Sequence, residues 1–171
     1  DGDLDLFIGG RARPGDYPHP ASSRIYLNQD GSFVPDEKRN RVLIEIGLVS
    51  NAVLVDLNQD SFLDIVLACE CGPIRILLNS TDGLVDHTSE LGLDDYHGFW
   101  SGIACGDFNR DGRVDLVVGN WGLNSTFQKH PSDPLRMYFK DADEASSSRF
   151  FITYLDSSDG VEKPVFDLNS M

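Results

Sequence analysis

Three stretches of the chain set acidic side chains at one fixed spacing and lead directly into an apolar run. "DLNQDSFLD" covers Asp56 to Asp64 and "DFNRDGRVD" covers Asp107 to Asp115; each has a carboxylate or amide at its first, third, fifth and ninth residues. "DGDLD", from Asp1 to Asp5, matches the last five residues of the same nine. Aligned on these loops, "DLDLFIGG", "FLDIVLAC" and "RVDLVVGN" fall into register, and the final carboxylates Asp5, Asp64 and Asp115 are separated by 59 and 51 residues. A period near fifty residues is that of a propeller or solenoid.

The apolar runs Ile65 to Ala68 and Leu116 to Val118 are short, rich in branched side chains and bounded by turn residues, which predicts strands buried on both faces. The segments "NAVLVDL" and "SGIACGDF" before the loops also read as extended, so each acidic loop joins two strands. "SRIYLNQDGSF" and "IRILLNSTDGL" each carry an apolar strand, a turn with Asp-Gly and a return strand, the pattern of a hairpin. About four strands per repeat make one propeller blade. No helix longer than a turn or two is expected, and in "DEKRNRVLIEIGL" the alternation of Val42, Ile44 and Ile46 predicts a strand.

The fold class is therefore all-β: a partial β-propeller of about three four-stranded antiparallel blades with calcium-binding hairpin loops. The expected divisions are a blade part at 1–50, blades at 51–93 and 94–140, and a degenerate part-blade at 141–171, all within one propeller domain spanning 1–171. At 171 residues the chain suits one domain with a sizeable core. Three blades cannot close a ring, and a start at the fifth residue of a nine-residue motif suggests a piece of a longer protein, so the remaining blades are an expected partner.

Charge narrows the partners. There are 28 acidic and 14 basic residues, a formal net charge of -14, so the summed field repels nucleic acid and anionic membrane surfaces and favours cations. No run approaches the eighteen or so apolar residues of a membrane span, and no membrane insertion is expected. Cys69, Cys71 and Cys105 have no paired zinc spacing. Buried free thiols are the simplest reading; Cys69 and Cys71, two apart in a strand, should share one face, and a bridge from either to Cys105 stays open.

Repulsion among Asp107, Asp111 and Asp115 opposes folding unless a cation sits between them, and a hard divalent ion with six or seven oxygen ligands is the ordinary remedy. The expected calcium ligands of this loop are Asp107, Asn109, Asp111, the carbonyl of Arg113, and Asp115, with Gly112 free to take a positive φ. The middle loop offers Asp56, Asn58, Asp60, the carbonyl of Phe62, and Asp64, with Ser61 in the glycine position predicting a strained turn. The first loop keeps Asp1, the carbonyl of Asp3, and Asp5, and should bind poorly. Magnesium resists an all-protein cage, and transition metals favour nitrogen or sulfur. As a polar turn alone, one such loop would be unremarkable; two and a half copies in one phase with a strand favour the metal.

These loops and their strands resemble FG-GAP or VCBS repeats, the calcium-loop blades of integrin-alpha-type β-propellers. More narrowly, "DLDLFIGGRARPGDYPHPASSRIYLNQDGSF" and "DFNRDGRVDLVVGNWGLNS", followed by "DPLRMYFKDAD", are similar to secreted VCBS-repeat proteins often joined to an ASPIC and UnbV domain. The resemblance implies a seven-bladed or similar propeller, structural calcium and an extracellular or periplasmic setting. It also implies a further acidic loop after "LRMYFKD", but here Asp141 and Asp143 are followed by Ala145 at position five and Arg149 at position nine, so a fourth site is not expected.

Residues for chemistry are sparse. His19, His87, His97 and His130 have no Ser, Cys or metal-ligand neighbour at a recognisable spacing, and no nucleophile elbow, phosphate loop or zinc motif occurs. Trp100 and Trp121 fit packing between blades better than a carbohydrate platform at a propeller mouth. The proline-containing loops Tyr17 to Ser23 and His130 to Pro134 read as rigid surface excursions. Asn79 and Asn124, each in "NST", are formal glycosylation acceptors but also suit hairpin turns. The leading expectation is a non-enzymatic, calcium-stabilised binding or scaffolding module that presents loops to a protein or glycan. The alternative is part of a secreted carbohydrate-active enzyme, such as a polysaccharide lyase or hydrolase, on the same fold.

Overall fold

The computed structural model describes residues 2–121, 135–140, 149–156 and 158–164. Its strands are β1 (Leu6–Ile8), β2 (Arg24–Gln29), β3 (Ser32–Pro35), β4 (Leu48–Val55), β5 (Asp64–Gly72), β6 (Arg75–Ser80), β7 (Gly83–Asp86), β8 (Gly98–Gly106), β9 (Asp115–Asn120), β10 (Arg136–Lys140), β11 (Arg149–Asp156) and β12 (Val161–Pro164). A 3₁₀ turn at Arg39–Arg41 is the one helical element among the described residues. Among the described residues the fold is all-β, in three antiparallel sheets: β1-β2-β3, β10-β11-β12, and a six-stranded sheet of β4 to β9. Among the described residues no helix is long and apolar enough to cross a membrane.

Both expected hairpins form, the first with its Asp-Gly pair as the loop. Gln29 pairs with Ser32, leaving Asp30 and Gly31 as a two-residue loop with φ of 53° and 86°. Positive φ at both positions makes the twist of the turn match that of the strands, which is why Asp-Gly is favoured there. Ser80 pairs with Gly83 across Thr81 and Asp82 in the second hairpin.

β5 organises the core. Its residues Asp64 to Cys69 are all buried, as the apolar run Ile65 to Ala68 predicts for a strand covered on both faces. It pairs with β4 along Leu48↔Glu70 to Val55↔Asp64, with β6 at Ile65↔Leu77, and at its far end with β8 through Glu70↔Phe99 and Gly72↔Gly98. β4, β5, β6 and β7 thus form a four-stranded antiparallel meander, onto which β8, a strand of the next repeat by spacing, is joined at the end of β5. Leu67, Leu77 and Leu43 are fully buried and pack with Ile25, Ile46, Ile65 and Leu84.

Three sequence expectations are corrected. Val42 to Ile46 is not a strand but a run of turns after the 3₁₀ element. Leu43 and Ile46 are buried while Ile44 is 58% exposed, so the inward residues recur at three rather than two, and the core takes Leu43 where alternation would have pointed it out. Asn40 fixes this segment: fully buried, it accepts from the Ile25 N–H (2.7 Å) and donates Nδ2 to the Ile25 carbonyl (3.0 Å), replacing a strand partner for β2. Leu116 to Val118 is not buried on both faces; among the described residues β9 ends its sheet, and Val117 is 56% exposed. Finally, Cys69 is buried and Cys71 exposed, because a bulge between Glu70 and Gly72, with Cys71 at φ 57°, breaks the pleat that would have aligned them. All three cysteines are free thiols, and burial pushes that of Cys69 up to about 11.

Candidate functional site

The two complete acidic loops are the connections β4–β5 and β8–β9, so each is anchored at both ends by an antiparallel pair. They agree in sequence only at positions one, three, five and nine, yet they share one hydrogen-bond frame. In the first, Asp56 accepts the N–H groups of Asp60 (3.2 Å) and Ser61 (2.8 Å), and Asn58 Oδ1 also accepts the Asp60 N–H (3.0 Å). Asp60 Oδ1 accepts the Phe62 N–H (2.8 Å) and its Oδ2 accepts Asn58 Nδ2 (2.9 Å). In the second, Asp107 accepts from Asp111 (3.0 Å) and Gly112 (2.9 Å), and Asn109 Oδ1 also accepts from Asp111 (2.9 Å). Asp111 in turn accepts from the Arg113 N–H (2.8 Å) and from Asn109 Nδ2 (3.0 Å). Identical frames on five differing side chains show that the four shared residues shape the loop.

The backbone bears the cost. Gly112 takes φ 81°, as its type allows, but Ser61 takes φ 73° at the equivalent place, a region unfavourable to any residue with a Cβ. The fourth positions, Gln59 (φ 63°) and Arg110 (φ 66°), are also left-handed, which their side chains gave no reason to expect.

The ninth carboxylate ties loop to sheet. Asp64 is fully buried; its Oδ2 accepts the Leu57 N–H (2.9 Å), closing the loop, and its Oδ1 accepts the Asn79 N–H of β6 (2.8 Å). Asp115 repeats the closure on the Phe108 N–H (2.9 Å), and Asp5 repeats the cross-strand bond on the Asn28 N–H of β2 (2.9 Å). Sequence reasoning missed this role of the ninth residue and its receiving strands. The signal was present as "RIYLN" and "RILLN" at Arg24 and Arg75, which begin β2 and β6 and end on the receiving Asn28 and Asn79.

The two complete loops also touch, since Gln59 Nε2 donates to the Gly112 carbonyl (2.8 Å). Asp3 lies exposed before β1, and Asp1, Asn124, His130, Asp141, Asp143 and Ala145 lie outside the described residues. The donor set of each loop is all oxygen, the chemistry of a hard divalent cation. As folded, however, no group of three or more His, Cys, Asp or Glu side chains among the described residues is gathered closely enough to hold a metal ion. The frame brings together the first, third and fifth side chains of each loop and spends part of their lone pairs on loop N–H groups.

A second feature lies where β5 meets β8. An open groove of about 350 Å³ is bordered by Arg11, Tyr17, Glu70, Phe99, Trp100 and Trp121. Arg11 donates Nε and Nη2 to the two oxygens of Glu70 at 2.9 and 3.1 Å, and the Tyr17 hydroxyl donates to Glu70 Oε2 at 3.4 Å. Burial, with the neighbouring Cys71 and Glu70 adding to it, pushes the Tyr17 phenol above its usual range, so it keeps its proton. Trp121 stacks on Phe99 with ring centres 4.9 Å apart and remains 45% exposed. Of the histidines, His19 meets Phe139 edge to face and His87 Nδ1 lies 3.2 Å from Glu90.

Comparison with known proteins places these observations. The FG-GAP-like repeat family matches residues 56–118, which hold both complete loops and the strands between them. The chain is similar to cartilage acidic protein 1 of Xenopus tropicalis, 39% identical over 79 residues, which are 46% of this chain and 11% of that protein. It is similar to cartilage acidic protein 1 of Homo sapiens, 48% identical over 64 residues, 37% of this chain and 10% of the relative. The Mus musculus protein of that name is 46% identical over 64 residues, with the same shares of 37% and 10%. The chain covers about a tenth of the length of these curated relatives. No solved structure matches it significantly.

Proposed function

We propose that this chain, which carries an FG-GAP-like repeat at residues 56–118, is a calcium-stabilised part of an extracellular β-propeller that binds a protein or glycan and performs no catalysis. The observation that carries the reading is the shared frame of the two loops. Five of nine residues differ between them, yet the same four oxygen-bearing side chains take the same bonds, with Ser61 held in a left-handed conformation to do so. A polar turn without a common purpose has no reason to retain that strain.

Asp56, Asn58, Asp60, the Phe62 carbonyl and Asp64 would hold one ion, and Asp107, Asn109, Asp111, the Arg113 carbonyl and Asp115 the other. A bound divalent ion supplies compensation for the loop carboxylates, and Asp64 and Asp115 pass that order into β5 and β9. Asp5 and Asp3, with Asp1, form the incomplete third set. The extracellular setting is supported by similarity to proteins named for cartilage, and extracellular calcium modules work with dissociation constants of about 10⁻⁴–10⁻³ M. The four-stranded meander β4–β7 serves as one blade, and the remaining blades of a longer chain complete the ring.

Thermal melting against calcium concentration tests the reading. Ligation of the folded state alone stabilises by about 2.7 kcal/mol at a hundredfold excess over the dissociation constant. The expected result is a rise in Tm with calcium that Asp111→Ala blunts more than Asp143→Ala. A Tm indifferent to calcium, or equal blunting by both variants, overturns the assignment.

A further inference from the structure

We propose that the groove between β5 and β8 is a binding site for a neutral pyranose residue, stacked on Trp121 and hydrogen-bonded by the Arg11–Glu70 pair; this rests on the reading of the chain as a binding module and names its ligand class.

Local backbone irregularity builds the groove. β5 bulges at Cys71 and β8 bulges between Trp100 and Gly102, on either side of the Glu70↔Phe99 pairing. Bulges re-aim side chains that regular alternation would send to opposite faces, so adjacent Phe99 and Trp100 both border one hollow. Phe99 then braces the indole of Trp121 from one side, at 15° between ring planes, and the indole is nearly half exposed. A large aromatic surface fixed by stacking yet left in water is out of place in a core, and it suits the C–H face of a sugar ring.

The polar edge fits the same ligand. The two-point contact holds the Arg11 guanidinium and Glu70 carboxylate in one orientation, with Arg11 61% exposed and Glu70 15% exposed. The contacts of the guanidinium with Glu70 use Nε and Nη2. A planar donor beside a planar acceptor matches adjacent sugar hydroxyls, each of which donates and accepts. The proton-bearing Tyr17 hydroxyl stands next to them and its ring packs on Phe150 at 4.7 Å. The Arg11 and Glu70 charges cancel within the groove, while the chain carries a net charge of -14. That balance selects neutral sugars over sulfated or carboxylated ones. Pockets of about 300–1,000 Å³ hold small ligands, so this hollow accommodates one or two sugar units.

The test uses the full chain and two probes: a neutral tetrasaccharide set of β-linked glucose, galactose and mannose, and a chondroitin sulfate tetrasaccharide. Indole fluorescence and saturation-transfer NMR report binding, and a calcium melt on the same sample reports the acidic loops separately. Expected is binding of at least one neutral tetrasaccharide with a dissociation constant on the order of 1 mM. Trp121→Ala should weaken it by about tenfold or more, Trp121→Phe should retain part of it, and Glu70→Gln should weaken it with Tm little changed. The proposal is overturned if no neutral probe binds, if the sulfated probe binds more tightly, or if Trp121→Ala leaves binding intact. A normal calcium response alongside absent sugar binding removes this site and leaves the loop assignment standing; sugar binding without a calcium response does the reverse.

Discussion

The sixth position of the acidic loops offers a measurement of backbone strain free of side-chain contacts. Gly112 adopts φ 81°, and a Cβ built there meets nothing within 4 Å, so Gly112→Ala changes conformational preference alone. A non-glycine residue in the left-handed region costs about 1–2 kcal/mol. Alanine also narrows the unfolded ensemble, which returns about 0.4–1 kcal/mol to the folded state. The net expectation is a loss of about 1 kcal/mol. Ser61 provides the mirror experiment, since it already sits at φ 73° and its N–H bond to Asp56 survives the change to glycine. Ser61→Gly should therefore stabilise by a similar amount. Urea unfolding in chelator-containing buffer isolates the effect from any metal. With a slope of about 2 kcal/mol per molar urea, the midpoint should fall by about 0.5 M for Gly112→Ala and rise by about as much for Ser61→Gly, with the slope unchanged. Midpoints that move in the same direction, or do not move, refute the shared conformation of the two loops.

Three further outcomes are expected. Asp64→Ala leaves the Leu57 and Asn79 N–H groups without their acceptor, at about 1–3 kcal/mol each, and calorimetry should show a larger fall in Tm than for Asp115→Ala, whose carboxylate is less buried. Leu67→Ala, at a fully buried position on β5, should cost about 2–5 kcal/mol in denaturant unfolding, whereas Ile44→Ala, on the exposed side of its turn, should stay within about 0.5 kcal/mol. Burial alone would raise the Asp36 carboxyl, but the Arg39 N–H and guanidinium and the Lys38 N–H outweigh it and hold the group below its usual value. Because its folded value is depressed, this stabilisation is complete above the unfolded pKa of about 3.9 and is lost as pH falls through the folded one. Urea midpoints of the parent and Asp36→Asn should accordingly differ at neutral pH and converge in acid.

Much of the fold could be read from spacing. Alternation placed both hairpins, although Asp-Gly forms the two-residue loop only in the first and Thr81–Asp82 forms it in the second, and the unbroken apolar run Ile65 to Ala68 marked β5 as a strand covered on both sides. The same reasoning failed where a neighbouring element overrode local pattern. Val42, Ile44 and Ile46 alternate, but the buried position of Leu43 and the clamp of Asn40 on Ile25 turn that segment into bends. Leu116 to Val118 has the composition of a central strand and, among the described residues, sits at the edge of its sheet. Composition records how apolar a segment is, and only the arrangement of its neighbours sets how much of it is covered.

The acidic loops divide along the same line. Their shape is local, because each carboxylate or amide bonds to an N–H a few residues away, and so four recurring side chains fix it wherever the loop occurs. The bonds from Asp64 to Asn79 and from Asp5 to Asn28 reach 15 and 23 residues along the chain. The groove at Arg11, Glu70 and Trp121 spans still longer separations and depends on two bulges that no side-chain pattern announced. The sequence by itself determined the repeat, the strand-forming segments and the loops, whose interactions lie within a turn or two. The tertiary structure alone decided which carboxylate anchors which strand and where the exposed indole stands, because those contacts exist only after distant segments pair.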